Sequence, residues 1–349
     1  MLNIAKIDNA MTLQKSPPTK LAFRIAILAY QASMGTEIFA IADVLLIATH
    51  MARAMGKVTG APFKVEVIGL AGKSVTLAGG IAVGVKRPRG VYDLLIVPGL
   101  EVRQLGQWAS RLAPLKPELA FIQRTFSRGT PVASVCVGSF LLAEAGLLNG
   151  RKATTAWLFA KELASHCPSA QVSHDAVLVE DGAVTTTGAV SSAFDLAINI
   201  VKRQLGAQIA TATARVALLQ NPRSSQLPYV DETLVAPKAV LRDGFSHRVK
   251  QWLSQRLTAP YDLPSLAQAF HVSSRTLLRR IKTETGKSPL ALLQQARVDT
   301  AKKLLSTTTH SVARITEDVG YIDVATFSRL FAKHVGETPA RYRRRYKAD

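Results

Sequence analysis

At 349 residues the chain exceeds one ordinary domain, and its 48% hydrophobic content can bury more than one core. The excess of 44 Lys and Arg over 24 Asp and Glu, a formal charge of +20, points to a polyanion such as nucleic acid. Two cysteines exclude a disulfide framework and fit a reducing cytoplasm, and seven scattered histidines predict no metal or other cofactor.

Residues 1–20 read as a loose polar leader without a secretory apolar core. No uncharged apolar run reaches the roughly 18 residues of a membrane span, so no membrane partner is expected. From residue 21, FRIAILAY (23–30), FKVEVIGLAG (63–72), YDLLIVPGL (92–100) and TPVASVCVG (130–138) read as strands bounded by Gly and Pro. Between or after them lie the helical patterns EIFAIADVLLIATHMARAMG, PELAFIQRTFSRG, GSFLLAEAGLLNG and SSAFDLAINIVKRQLG. The alternation predicts an α/β domain over 21–219, a parallel sheet with helices on both faces and sites at the carboxyl ends of its strands. AQIATATARVALL (207–219) closes it, and Gly79, Gly80 and Gly84 read as turn residues.

In ASVCVGSFLLAEAGLLNGRKATTAW (133–157) the strand ends at Val135 and a helix starts near Gly138. A cysteine at that sharp turn is lifted from the sheet, and the following amides and helix dipole favour a thiolate. The VPG turn (97–99), the Cys136 elbow and AEAGLLNGRKATTAW resemble the PfpI-like branch of the class I glutamine amidotransferase-like superfamily over roughly 22–206. The resemblance implies a flavodoxin-like fold and sensing of a small-molecule effector or dimerisation. It also implies that Glu37 approaches the cysteine. The pattern departs at Ala156, where relatives commonly carry a histidine, and at Leu100, where many have a second glycine. A nucleophile without a base is a poor hydrolase, so no catalytic residue is assigned. Glu37, Gly99, Leu100, Cys136, Val137, Ala156 and Trp157 are the candidates to line a ligand pocket.

Residues 220–238 hold three prolines and no sustained period, and read as a linker. The remainder, 239–349, is helical throughout and carries 20 Lys and Arg against 9 Asp and Glu. In LPSLAQAFHVSSRTLLRRIKTETGKSP (263–289), Leu266, Ala267 and Phe270 share one face, and Ser273 or Ser274 can cap a second helix. That helix turns Leu277, Leu278 and Ile281 inward and a basic face outward, as in a helix-turn-helix. The pattern recurs 50 residues on, Gly286 to Gly336 and Pro289 to Pro339, with LALLQQARVDTAKKLL (290–305) between the two copies. GYIDVATFSRLFAKHVGETPARYR resembles the signature of the AraC/XylS family, and the likeness covers 245–346. One departure is Thr316, where a small alanine is usual. An AraC-type domain behind a PfpI-like domain is the order of a GlxA-like group of regulators.

These features together predict a cytoplasmic, sequence-specific transcription regulator acting on double-stranded DNA, and the resemblance implies a dimeric activator that acts on RNA polymerase. Ser273, Ser274, Arg275, Thr276 and Arg279 would read bases in the first unit, and Val324, Thr326, Ser328 and Arg329 in the second. Arg280, Lys333, Arg341, Arg343 and Arg344 would contact phosphates, the last three from a basic tail RYRRRYK (341–347). The alternative is an active cysteine-dependent amidase or protease carrying a DNA-binding appendage.

Overall fold

Consecutive apolar residues need burial on both sides of a strand, and Ile25, Ala26, Ile27 and Leu28 obtain it, as do Leu95, Ile96 and Val97. The computed structural model describes residues 22–219, 223, 225–230 and 244–347; the expected leader and most of the expected linker lie outside them. Up to residue 216 the chain runs β1 (Phe23–Leu28), α1 (Gly35–Ala54), β2 (Phe63–Ile68), β3 (Ser74–Thr76), β4 (Ala82–Gly84), β5 (Leu94–Val97), α2 (Trp108–Leu112), α3 (Lys116–Ser127), β6 (Val132–Ser134), α4 (Gly138–Glu144), β7 (Lys152–Thr154), α5 (Ala160–His166), β8 (Gln171–Ser173), β9 (Leu178–Asp181), β10 (Val184–Thr187), α6 (Ser192–Leu205) and α7 (Ala207–Val216).

The main sheet has the order β2-β1-β5-β6-β10-β9, with β3 and β4 as a separate hairpin around Gly79 and Gly80. Pairing is parallel from β2 to β10, with Ile25 opposite Leu94 and Ile96 opposite Ala133. The sheet is not wholly parallel, because β9 and β10 pair antiparallel with Val184 opposite Asp181. Only two residues join them, too few for the crossover a parallel pair requires. Helix α1 packs against α6 and α7, and α4 against α2 and α3. By length and composition α1 could cross a membrane (hydropathy 1.4), yet half of that stretch is buried, as in a core helix.

By its contacts the chain divides into two units, with 156–161 and 173–177 grouped in the second alongside the residues from Arg223 on. The second unit contains α8 (Phe245–Ser254), α9 (Leu263–Ala269), α10 (Ser274–Thr285), α11 (Pro289–Thr307), α12 (Val312–Asp318), α13 (Val324–Val335) and α14 (Pro339–Tyr346). The repeated G-x-x-P is a helix stop followed by a helix start. Gly286 and Gly336 close α10 and α13 in the left-handed region, and Ser288 and Thr338 then cap helices whose first residue is proline. The expected tail RYRRRYK is therefore mostly helix. Within the expected linker, Leu227–Tyr229 forms a 3-10 turn, the Lys302 ammonium donates to the Val230 carbonyl (2.6 Å), and Tyr229 meets Tyr346 edge to face.

Helix α11 serves two cores. Leu292 and Leu293 join Phe245, Val249, Leu253, Leu266, Leu277 and Ile281, while Val298, Ala301 and Leu305 join Ile315, Phe327, Phe331 and Tyr342. Between these stretches sits Arg297, buried, donating to the Leu257 carbonyl (2.8 Å) and the Ala259 carbonyl (3.0 Å) with its guanidinium over the Tyr321 ring. Thr316 is accommodated because its buried hydroxyl donates back to the Val312 carbonyl (2.8 Å). Arg297→Met should leave two carbonyls unpaired and lower the unfolding free energy of the helical unit by about 2–3 kcal/mol, as urea denaturation would measure.

Candidate functional site

Strands β1, β5 and β6 are neighbours and parallel, so the segments that follow them emerge at one edge. After β6 the chain turns through Cys136, which holds φ +54°, a conformation that costs an L-residue about 1 kcal/mol or more. Neighbours hold it there. Its N–H donates to the Gly188 carbonyl (2.8 Å), and its carbonyl accepts from the Ser139 hydroxyl (3.1 Å) and the Thr155 hydroxyl (2.9 Å). Gly138 cannot be larger, since a Cβ would stand 2.5 Å from the Val97 carbonyl oxygen. After β5, the Gly99 N–H donates to Glu37 Oε2 (2.5 Å). A Cβ on Gly99 would lie 3.1 Å from Val137, 3.3 Å from Cys136 and 3.3 Å from Glu37.

Glu37, Gly99, Cys136 and Val137 therefore form one cluster, with Leu100 buried at the end of the same turn. Ala156 and Trp157 group with the second unit. Thr155, Ser139 and Gly188, which brace the cysteine backbone, escaped the sequence reading. The hydroxyl of Thr155 in ATTAW was their one visible sign.

The expected thiolate is overturned. Burial pushes the Cys136 thiol well above its usual range, the Glu37 carboxyl adds to this, and the Val137 amide only partly offsets them. Among the described residues no histidine acts on the thiol, and His166 is engaged with Glu144 at 3.0 Å. Burial also raises Glu37 to about 7 despite the Gly99 amide, and its Oε1 has no hydrogen-bond partner. A neutral thiol beside a half-neutral acid can donate protons but is a weak nucleophile. Among the described residues no three His, Cys, Asp or Glu gather as metal ligands would.

The second candidate surface lies on the helical unit. Ser273 caps α10, its hydroxyl accepting from the Thr276 N–H (3.2 Å) and lying 3.0 Å from the Thr276 hydroxyl. Arg275, Arg279 and Arg280 are exposed, and Ser274 and Thr276 are half-buried. Arg280 stacks on the Phe245 ring at 4.0 Å. Leu278, expected inside, is 39% exposed, because the core is already closed by Leu277 and Ile281. Asp323 caps α13, accepting from the Ala325 N–H (3.3 Å) and the Thr326 N–H (2.6 Å). The Thr326 hydroxyl and these amides hold its carboxyl below the usual range. Val324, Thr326, Arg329 and Lys333 are exposed, and Ser328 is half-buried. On α14, Arg341 and Arg345 pair with buried Glu337 at 3.5 and 3.4 Å, and Arg343 donates to the His310 carbonyl. Arg344 remains exposed.

Residues 24–203 match the DJ-1/PfpI family, and residues 266–345 match a helix-turn-helix domain. The chain belongs to the DJ-1/PfpI family. To that DJ-1/PfpI domain it adds an AraC-type helix-turn-helix domain. It is 26% identical to the HTH-type transcriptional regulator CdhR of Pseudomonas aeruginosa over 290 residues, 80% of this chain and 82% of that protein. It is 25% identical to the regulator GlxA of Rhizobium meliloti over 310 residues, 85% of this chain and 90% of that protein. With the regulator GbdR of Pseudomonas aeruginosa it shares 24% identity over 226 residues, 64% of this chain but 60% of GbdR.

The DJ-1/PfpI site has a pH signature. The folded protein keeps the Glu37 proton up to about pH 7, whereas an unfolded chain releases it near 4.5. Folding therefore binds an extra proton in that window, so this contribution falls as pH rises from about 4.5 and levels off above 7, a loss of about 3 kcal/mol. Denaturation of wild type and Glu37→Gln across this range should show the variant gaining relative stability by about that amount. Native Cys136 should also react with iodoacetamide at pH 7.5 far more slowly than it does in the unfolded chain, as mass spectrometry of the labelled peptide would report.

Proposed function

We propose that the protein is a sequence-specific DNA-binding transcription regulator whose two helix-turn-helix units read successive major grooves of one duplex. The observation that carries this reading is the pair of capped helices α10 and α13, each with an exposed N-terminal end and both mounted on α11. A recognition helix presents its N-terminal residues to base edges, and a phosphate-binding surface supplies sequence-independent affinity. Arg275 and Arg279 are the direct readers of the first half-site, with Ser274 and Thr276. Ser273 acts chiefly through its cap.

In the second half-site Thr326 and Arg329 contact bases, with Val324 beside them and Ser328 at the margin. Arg344 and Lys333 bind phosphates. Arg280 and Arg341 can reach a phosphate only while keeping Phe245 or Glu337 as neighbours, and Arg343 serves structure first.

The DJ-1/PfpI domain acts as a non-catalytic sensor of a small molecule, as a dimerisation element, or as both, in a cytoplasmic activator that works on RNA polymerase. The raised thiol of Cys136 and the lack of a histidine acting on it support the absence of hydrolysis. An effector would act through differential affinity for two arrangements of the protein.

Selection of genomic fragments by the full-length protein tests the reading. The expected result is one motif of two elements about ten base pairs apart. Arg275→Ala should then weaken binding by about 1–3 kcal/mol at one element while leaving random DNA nearly unaffected. Failure to enrich any motif would overturn sequence-specific regulation.

A further inference from the structure

The two recognition ends differ in a way that the shared pattern conceals. At the 50-residue offset, Val272 corresponds to Ile322, Ser274 to Val324 and Arg275 to Ala325. The first end is thus polar and basic, the second apolar. Val272 packs against the first core, whereas Ile322 stands fully exposed, and Val324 beside it is 39% exposed.

An apolar residue immediately before a helix cap ordinarily packs on the fourth residue of the helix, stapling the turn. Here that fourth residue is Phe327, and Tyr321 occupies the place instead, its ring 5.7 Å from the Phe327 ring. Ile322 is left with no packing role, and the structure keeps its side chain at the very tip that a recognition helix lays into the major groove.

On the proposed reading of the domain, we infer that Ile322 is a specificity residue: with Val324, it selects a thymine at the second half-site by apolar contact with the C5-methyl group. That methyl is the one apolar group a base edge offers in the major groove. Asp323, between them in sequence, has its capping carboxylate held by the Ala325 and Thr326 amides. The polar first end lacks this preference.

Deoxyuridine differs from thymidine only by that methyl and isolates the contact. Each thymine of the selected site is replaced in turn by deoxyuridine, and binding of full-length wild type and Ile322→Ala is measured. Loss of the Arg275→Ala effect identifies the first half-site, so the other is the second. At one or two thymines of the second half-site, replacement should weaken wild-type binding about fourfold, the effect of exposing one methyl group. Ile322→Ala should bind the thymine and uracil sites alike, with unchanged thermal unfolding because the side chain is exposed. Insensitivity of wild type to every replacement overturns the assignment, as does sensitivity that persists in Ile322→Ala. Failure of the underlying reading is distinct: no specific site would exist to substitute.

Discussion

The separation of the two readers rests on a buried cation that has no carboxylate partner among the described residues. Arg297 sits at the midpoint of α11 and spends its fork on the Leu257 and Ala259 carbonyls and its face on Tyr321. A buried charge is tolerated only where its donors are satisfied, and a lysine could not reproduce this planar geometry. Gly320 completes the joint. It holds φ +81°, and a Cβ there would stand 2.2 Å from the Leu257 carbonyl oxygen. The loop after α8 and the turn before α13 thus meet as backbone against backbone. Two small cores alone would leave α11 as a simple rod between them. The joint makes the helical unit one body.

Close backbone approach organises the α/β unit as well. Gly138 lies against the end of β5, and Gly99 against Glu37 and Cys136, so the turn around the cysteine leaves little freedom. The left-handed backbone of Cys136 is the elbow of an enzyme fold. What the elbow presents is a thiol desolvated beside a carboxyl, and desolvation outweighs the amides that would have activated it. The backbone elbow is present while burial opposes a thiolate on it.

Much of this was legible in the sequence. The four strand segments around 23–30, 63–72, 92–100 and 130–138 each contain an observed strand, because continuous apolar runs have one stable solution in a covered sheet. The G-x-x-P repeat, the caps and the elbow were legible because each is local chemistry over a few residues. Tertiary facts were not. Nothing near Cys136 in the chain announces that it is buried beside Glu37, ninety-nine positions earlier. Nothing in the sequence marks Arg297 as buried, and Leu278 reads as a core position. Their places are decided by residues the chain brings together only on folding. The basic run 341–347 read as a phosphate-binding tail because its charge was visible, whereas the Glu337 counter-ion, four residues upstream of Arg341, was not recognised as buried.

The unlike ends of α10 and α13 carry a consequence beyond affinity. A protein whose two readers are equivalent and related by a two-fold axis sits on its site equally well in either direction. One whose first reader offers Arg275 and whose second offers Val324 and Ala325 does not. On the proposed reading, its target has a head and a tail, so each copy of the sequence is an arrow along the chromosome. The strand on which the arrow is written determines the side of the protein toward which neighbouring machinery lies.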